Sequence, residues 1–192
     1  MIQSLASIAT AFGLSAATGL NAYIPLLIVA LVARFTDWLV LEPPYDVLTS
    51  PWVIGALIIL AGIEFFADKI PGVDHMNDLV GTFVRPAAGA ILFAATTGAV
   101  HDMSPVLAVI CGLVITGTVH AAKAGFRPIV TASTAGVGNP VVSTAEDITA
   151  TIVSFGAILL PFLFALMLLI ALTIVAWLIY SWRRRASRPS SA

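Results

Sequence analysis

Charge is scarce in this chain. Asp, Glu, Lys and Arg make up 10% of its 192 residues, against about 25% in an ordinary soluble domain. The formal net charge is -1, which leaves no basic footprint for nucleic acid. One cysteine, Cys111, allows no intramolecular disulfide and no cysteine-based metal site. It sits in an apolar run and reads as a small buried hydrophobe. No G-x-S-x-G, H-E-x-x-H or P-loop lysine pattern occurs, so no enzyme class and no cofactor is signalled.

Apolar residues are what the chain has instead. The hydrophobic fraction is 59% and the mean hydropathy +1.03. Apolar blocks fall at residues 4–34, 51–67, 86–100, 105–122 and 144–181. A spanning helix needs about 20 residues. The pattern predicts an all-α, polytopic transmembrane helical bundle of five to six crossings. Residues 1–182 form a single transmembrane domain, and 183–192 a short basic, Ser/Pro-rich cytoplasmic tail. The stretch Met1 to Gly19 lacks the Lys/Arg of a signal peptide and reads as a membrane segment.

The first and last blocks are too long for one straight span. The first is interrupted by Gly19, Asn21 and Pro25, and the last by Pro161. Proline removes a backbone donor and clashes one turn back, so a break or kink is expected at each. Ser50-Pro51, Arg85-Pro86 and Ser104-Pro105 read as helix starts. Ser143 and Glu146 match a capping box, which predicts a helix from Thr144 with Glu146 and Asp147 in its first turn. Residues 128–142 are small and hydroxyl-rich, and read either as a surface loop or as a segment dipping into the membrane.

Two polar clusters break the apolar pattern. The first holds Glu64, Asp68, Lys69, Asp74, His75, Asp78 and Arg85; the second holds His120, Lys123, Arg127, Asn139, Glu146 and Asp147. Charge near hydrocarbon is costly, so such residues are candidate sites. His120, Lys123 and Arg127 share one helical face if the fourth block continues. That stripe suits an anionic group, or salt bridges to Glu146 and Asp147. The carboxylates and His75 suit proton or cation handling, or interfacial charge pairs; Asp74, His75 and Asp78 are a weak metal set. Asn21 and Tyr23 flank the helix break, where transporters often contact substrate.

Basic residues orient the chain. With one crossing per block, Lys69, Arg85, Lys123 and Arg127 oppose Arg34 and the tail arginines, which gives no bias. One extra crossing between Arg127 and Arg183, at Pro161 or within 128–142, leaves Arg34 alone against all the others. That is a positive-inside pattern with a cytoplasmic C-terminus, and the acidic loop Asp37, Glu42, Asp46 then faces outward.

Gly19-Leu20-Asn21-Ala22-Tyr23, Asp68-Lys69-Ile70-Pro71 with Arg85-Pro86, His120-Ala121-Ala122-Lys123-Ala124-Gly125 and the Glu146-Asp147 pair carry a family resemblance over about residues 13–160. The chain resembles a bacterial integral membrane protein family of unknown function, domain of unknown function family 4126. The stretch after Arg127 departs from that family's Ser-Pro-rich turn. The resemblance implies a compact polytopic membrane domain and supplies no activity. The Gly19–Tyr23 stretch also looks like a short helix-break motif of purine permeases.

The expected function is movement of a small solute or ion across the bacterial inner membrane. The path would be lined by Asn21, Tyr23, Asp68, Lys69, Asp74, His75, Arg85, His120, Lys123, Arg127, Asn139, Glu146 and Asp147. The alternative is a membrane scaffold or lipid-binding interaction protein. A membrane enzyme acting on lipid would need His120 and Glu146 as an acid–base pair. The expected partners are the lipid bilayer and the solute or ion. Small residues such as Ala87, Gly89, Gly112 and Gly117 suit close packing of helices, within the chain or in a homo-oligomer.

Overall fold

The computed structural model describes residues 2–70, 73–97 and 103–163, with isolated helical positions at 166, 169, 170, 173 and 177. The basic tail lies outside the described residues. Six helices follow one another: α1 (Ile2–Leu20), α2 (Tyr23–Phe35), α3 (Pro51–Ala67), α4 (Val73–Thr97), α5 (Pro105–Thr134) and α6 (Asn139–Leu159). A 3-10 turn, Tyr45–Thr49, lies in the loop before α3. No strand occurs among the described residues, as the apolar pattern predicts.

Three helices are long and apolar enough to cross a membrane: Met76–Thr97 of α4, α5 and α6. The helices α2 and α3 are apolar but shorter. The chain is a membrane protein by this measure. Side-chain contacts fix the direction of each helix. The C-terminal ends of α1, α3 and α5 meet the N-terminal ends of α2, α4 and α6, through Lys123–Leu20, Ala22–Glu64, Arg85–Glu64 and Asn21–Asp147. Successive helices therefore alternate in direction.

The long first block breaks where expected, at Asn21 and Ala22. Pro25 is the third residue of α2, where a missing N–H leaves no helical bond unmade. Gly19 serves packing: a Cβ there would come 2.6 Å from the Val119 side chain of α5. The last block also breaks as expected. Leu160 leaves helical geometry, and helix resumes from Pro161.

Three predicted boundaries are corrected. No helix starts at Pro86, because α4 runs through it without interruption. Membrane helices carry proline where neighbouring helices re-satisfy the freed backbone groups, and α1 and α5 are the helices that pack most against α4. Residues 128–142 are neither a loop nor a separate span. The helix α5 continues through Pro128 to Thr134, a tight turn follows, and α6 begins at Asn139. Ala135 at φ 51° and Gly136 at φ 85° take the left-handed conformation that ends a helix, which the glycine adopts without steric cost. The helix α6 therefore starts five residues before Thr144. Asn139, Ser143 and Asp147 form its buried stripe, and burying that stripe outweighs the local capping signal.

Hydroxyls and glycines knit α1 into the bundle. Ser15 donates to the Gly89 carbonyl and Thr116 to the Ser15 carbonyl, while Thr10 reaches the Ala157 carbonyl. Such bonds and small contacts drive helix association where lipid removes the hydrophobic term. A Cβ on Gly112 would lie 2.6 Å from Ala90 Cα, whereas Gly117 faces open space. Gly112→Val should therefore cost more than about 2 kcal/mol through overpacking against backbone. Gly117→Ala should be neutral or stabilising by about 0.5–1 kcal/mol. Thermal unfolding midpoints in detergent would check both.

Candidate functional site

The two sequence clusters form one network at the end of the bundle where α1, α3 and α5 finish. Arg127, on α5, is its junction. Its Nη2 donates to Asp68 and Glu146, and its Nη1 to Asp78, each at 3.1 Å. These carboxylates come from the end of α3, from α6 and from α4, so one guanidinium ties four helices. Arg85, fully buried, bonds Glu64 at 3.0 Å and lies 3.9 Å from Asp68. Lys123 reaches Glu146 at 2.9 Å and Asp68 at 3.5 Å. Asn77 completes Asp68 with a 2.6 Å bond.

The helix break is clamped by this network. Lys123 Nζ donates to the Leu20 carbonyl at 2.8 Å, at the C-terminal end of α1. Glu64 accepts the Ala22 N–H at 3.1 Å, at the N-terminal end of α2. A cation on a helix C-terminus and an anion on an N-terminus are the favourable arrangement. Asn21 caps α2 by accepting the N–H groups of Tyr23 and Ile24. Its amide donates to Asp147, which also pairs with Lys69 at 3.3 Å. Lys69 additionally sits over the Phe65 ring, 3.2 Å from its centroid.

His120 lies between Arg85 and Thr82. Arg85 Nη1 is 3.0 Å from Nδ1, and Thr82 Oγ1 is 3.1 Å from Nε2. A guanidinium has no acceptor, so Nδ1 accepts and the proton sits on Nε2. The Thr82 hydroxyl receives that proton's bond and donates its own hydrogen to the Asp78 carbonyl. This assigns a neutral imidazole. Both ring nitrogens are engaged here, while Glu146 bonds Lys123 and Arg127. The His120–Glu146 pair that a lipid enzyme would need is not formed.

Apart from the network core, Asp74 accepts a 2.7 Å bond from Asn139, whose carbonyl oxygen accepts from Thr131. Tyr23 joins through its backbone, and its side chain packs against the apolar core. His75 lies on α4; its side chain is outside the described residues. No group of three or more His, Cys, Asp or Glu side chains able to hold a metal ion occurs among the described residues.

Buried charges have exposed apolar neighbours on their own segments: Phe66 beside Asp68, Phe83 beside Arg85, Phe126 beside Arg127 and Ile148 beside Asp147. These side chains form an apolar collar around the network, while Lys69, Asp78 and Glu146 at its edge keep partial exposure. Among the described residues, three buried side-chain atoms have no hydrogen-bond partner: Asp78 Oδ1, Arg127 Nε and Ser143 Oγ. Glu64, Asn77, Asp78 and Thr82 are network members that the sequence reading left out of its candidate path. Glu64 carried a signal, as the lone acid inside an apolar block. Asp78 and Thr82 lie on α4 with Arg85, a relation hidden once a helix start is assigned at Pro86.

Residues 8–181 match the family described as Domain of unknown function (DUF4126). The chain belongs to this family. The whole charge network falls inside the DUF4126 match. No curated protein and no solved structure matches the chain.

Removing one partner of a buried ion pair strands the other. Arg85→Met should cost about 3–5 kcal/mol, because Glu64 is left charged and buried. Lys69→Met, at the solvent-accessible edge, should cost under about 1 kcal/mol. Ser143→Ala removes an unpartnered hydroxyl and should leave stability unchanged or raise it by roughly 1 kcal/mol. Denaturant titrations in micelles would rank the three.

Proposed function

We propose that this protein moves a small solute or ion across the bacterial cytoplasmic membrane, with the charge network as its closed gate. The observation that carries this reading is the α1–α2 break. Its free carbonyl and N–H are held inside the bundle by the side chains of Lys123 and Glu64. Transporters build their sites from such discontinuous helices, whose exposed ends meet substrate or coupling ions. Ionisable groups at hydrocarbon depth mark pathways for the same reason: their cost is sustained only by use.

The opposite end of the bundle is more open. A cavity of about 440 Å³ is lined there by Gln3, Ser7, Thr10, Trp38 and Thr96, among others. The reading makes this cavity the open mouth and the network the closed end. Opening would exchange Lys123 and Glu64 for substrate groups on the helix ends, with Asn21 and Tyr23 beside them. Arg127 would neutralise an anionic group, and His120 with the acids would carry protons. If the segment after Pro161 crosses once more, as the charge pattern of the sequence suggests, the tail arginines would join the network side with Arg34 alone opposite, and the network end and C-terminus would face the cytoplasm.

The scaffold or lipid-binding reading draws support from one observation: the buried cations Arg85, Lys123 and Arg127 are all paired within the chain. It requires no flux. Purified protein in proteoliposomes, followed by charge movement on a solid-supported membrane and by swelling in a panel of small solutes, tests the two. Wild type should show flux that Lys123→Ala and Asp68→Ala abolish while both variants stay inserted and monodisperse. No wild-type flux, or equal flux in the variants, overturns the transport reading.

A further inference from the structure

Four carboxylates and three cations meet in the core of the network: Glu64, Asp68, Asp78 and Glu146 against Arg85, Lys123 and Arg127. Lys69 and Asp147 form a separate neutral pair. With His120 neutral and the four carboxylates ionised, these seven groups among the described residues hold one negative charge in excess, behind an apolar collar. An uncompensated ion there carries a desolvation cost of several kcal/mol. One more positive charge would balance the core.

The geometry shows where that charge fits. Arg85 Nη1 has two acceptors within reach. It bonds His120 Nδ1 at 3.0 Å and stands 3.6 Å from Asp78 Oδ1. That carboxylate oxygen is buried and has no hydrogen-bond partner. The other three carboxylates are better supplied. Glu64 receives Arg85 and the Ala22 N–H, Asp68 receives Arg127 and Asn77, and Glu146 receives Lys123 and Arg127. Arg127 Nε is a second unpartnered group, on a side chain 3% exposed, within the same core.

We propose that His120 and Asp78 form a proton-binding site, and that binding one proton moves Arg85 from the histidine to the aspartate. The proton comes from water at the network end, where Asp78, Glu146 and Lys69 keep partial exposure. It adds to the Nδ1 lone pair. The Arg85 Nη1–H bond to Nδ1 breaks, because a protonated nitrogen accepts nothing. The same N–H then closes the 3.6 Å gap to Asp78 Oδ1, and the core becomes neutral. Arg85 from α4 and Lys123 and Arg127 from its own helix oppose a proton on His120, and Asp78 from α4 favours it. Glu64 and Asp68 from α3 and Glu146 from α6 pair with those cations. Asp78 decides the exchange, because its buried oxygen without a hydrogen-bond partner stands within reach of Arg85. Arg85 also holds Glu64, which clamps the N-terminal end of α2, so proton binding reaches the helix break.

The test is the imidazole nitrogen NMR of ¹⁵N-histidine protein in nanodiscs. The three histidines are separated by comparison with His120→Gln. The His120 signals should show the Nε2–H tautomer at high pH and imidazolium as pH falls. In Asp78→Asn, which keeps the shape but removes the charge, the midpoint should drop by about one pH unit, a tenfold weaker proton affinity. Asp78→Glu should restore most of it. A His120 signal that stays neutral down to the pH of unfolding, or an unmoved midpoint in Asp78→Asn, overturns the site. Proton-coupled transport rests additionally on the reading above, and proteoliposome flux under an imposed pH gradient separates the two. Titration without flux keeps the site and removes the transport reading. Flux without titration does the reverse.

Discussion

The guanidinium of Arg127 is where the bundle is joined. It stands on α5 and holds carboxylates from the end of α3, from α4 and from α6. In hydrocarbon an ion cannot be left unpaired, so each of those elements is drawn to one point with little freedom to slide. Arg85 and Lys123 repeat the device with Glu64 and with the Leu20 carbonyl, which brings α1 and α2 into the same junction. The rest of the bundle needs only close apolar packing, and small residues along α1, α4 and α5 supply it.

The broken helix follows from the same constraint. Ending α1 at Leu20 and starting α2 at Tyr23 leaves backbone groups without helical partners inside the bundle, which is tolerated only where they find other partners within the protein. Here the partners are Lys123, Glu64 and Asn21, each of the charge sign or hydrogen-bonding type that its helix end favours. The break and the charge network are one construction. The same Lys123 and Glu64 that pair with the network hold the helix ends, which is the link on which the proposed translocation role rests.

Much of the site was legible in the residues alone. A stripe of His120, Lys123 and Arg127 at helical spacing announced one charged face, and the structure buries all three. Asn21 and the neighbouring prolines announced the breaks. Harder to read were Glu64 and Asp78, whose importance depends on which oxygens remain after the cations have chosen partners. Thr82 and Arg85 lie on α4, a helix that the residues alone place only from Pro86 onward. Proline forbids a local hydrogen bond, and tertiary burial decides whether the helix continues regardless.

The sequence by itself determined that this is a membrane-embedded, all-helical chain with its charge concentrated in two stretches. Hydrophobic run length and the cost of ionised groups in hydrocarbon leave no other class. Only the tertiary structure decided that the two stretches are one network, and that Glu146 answers Arg127 and Lys123 while Asp147 answers Lys69 and Asn21. The same holds for the α6 start: Asn139 is chosen over Thr144 because its bonds to Asp74 of α4 and Thr131 of α5, and burial of the polar stripe that it begins, outweigh a capping box. Pairing depends on distances between helices far apart in the chain. Local spacing carries the face a residue occupies, and the packed bundle alone carries what stands opposite it.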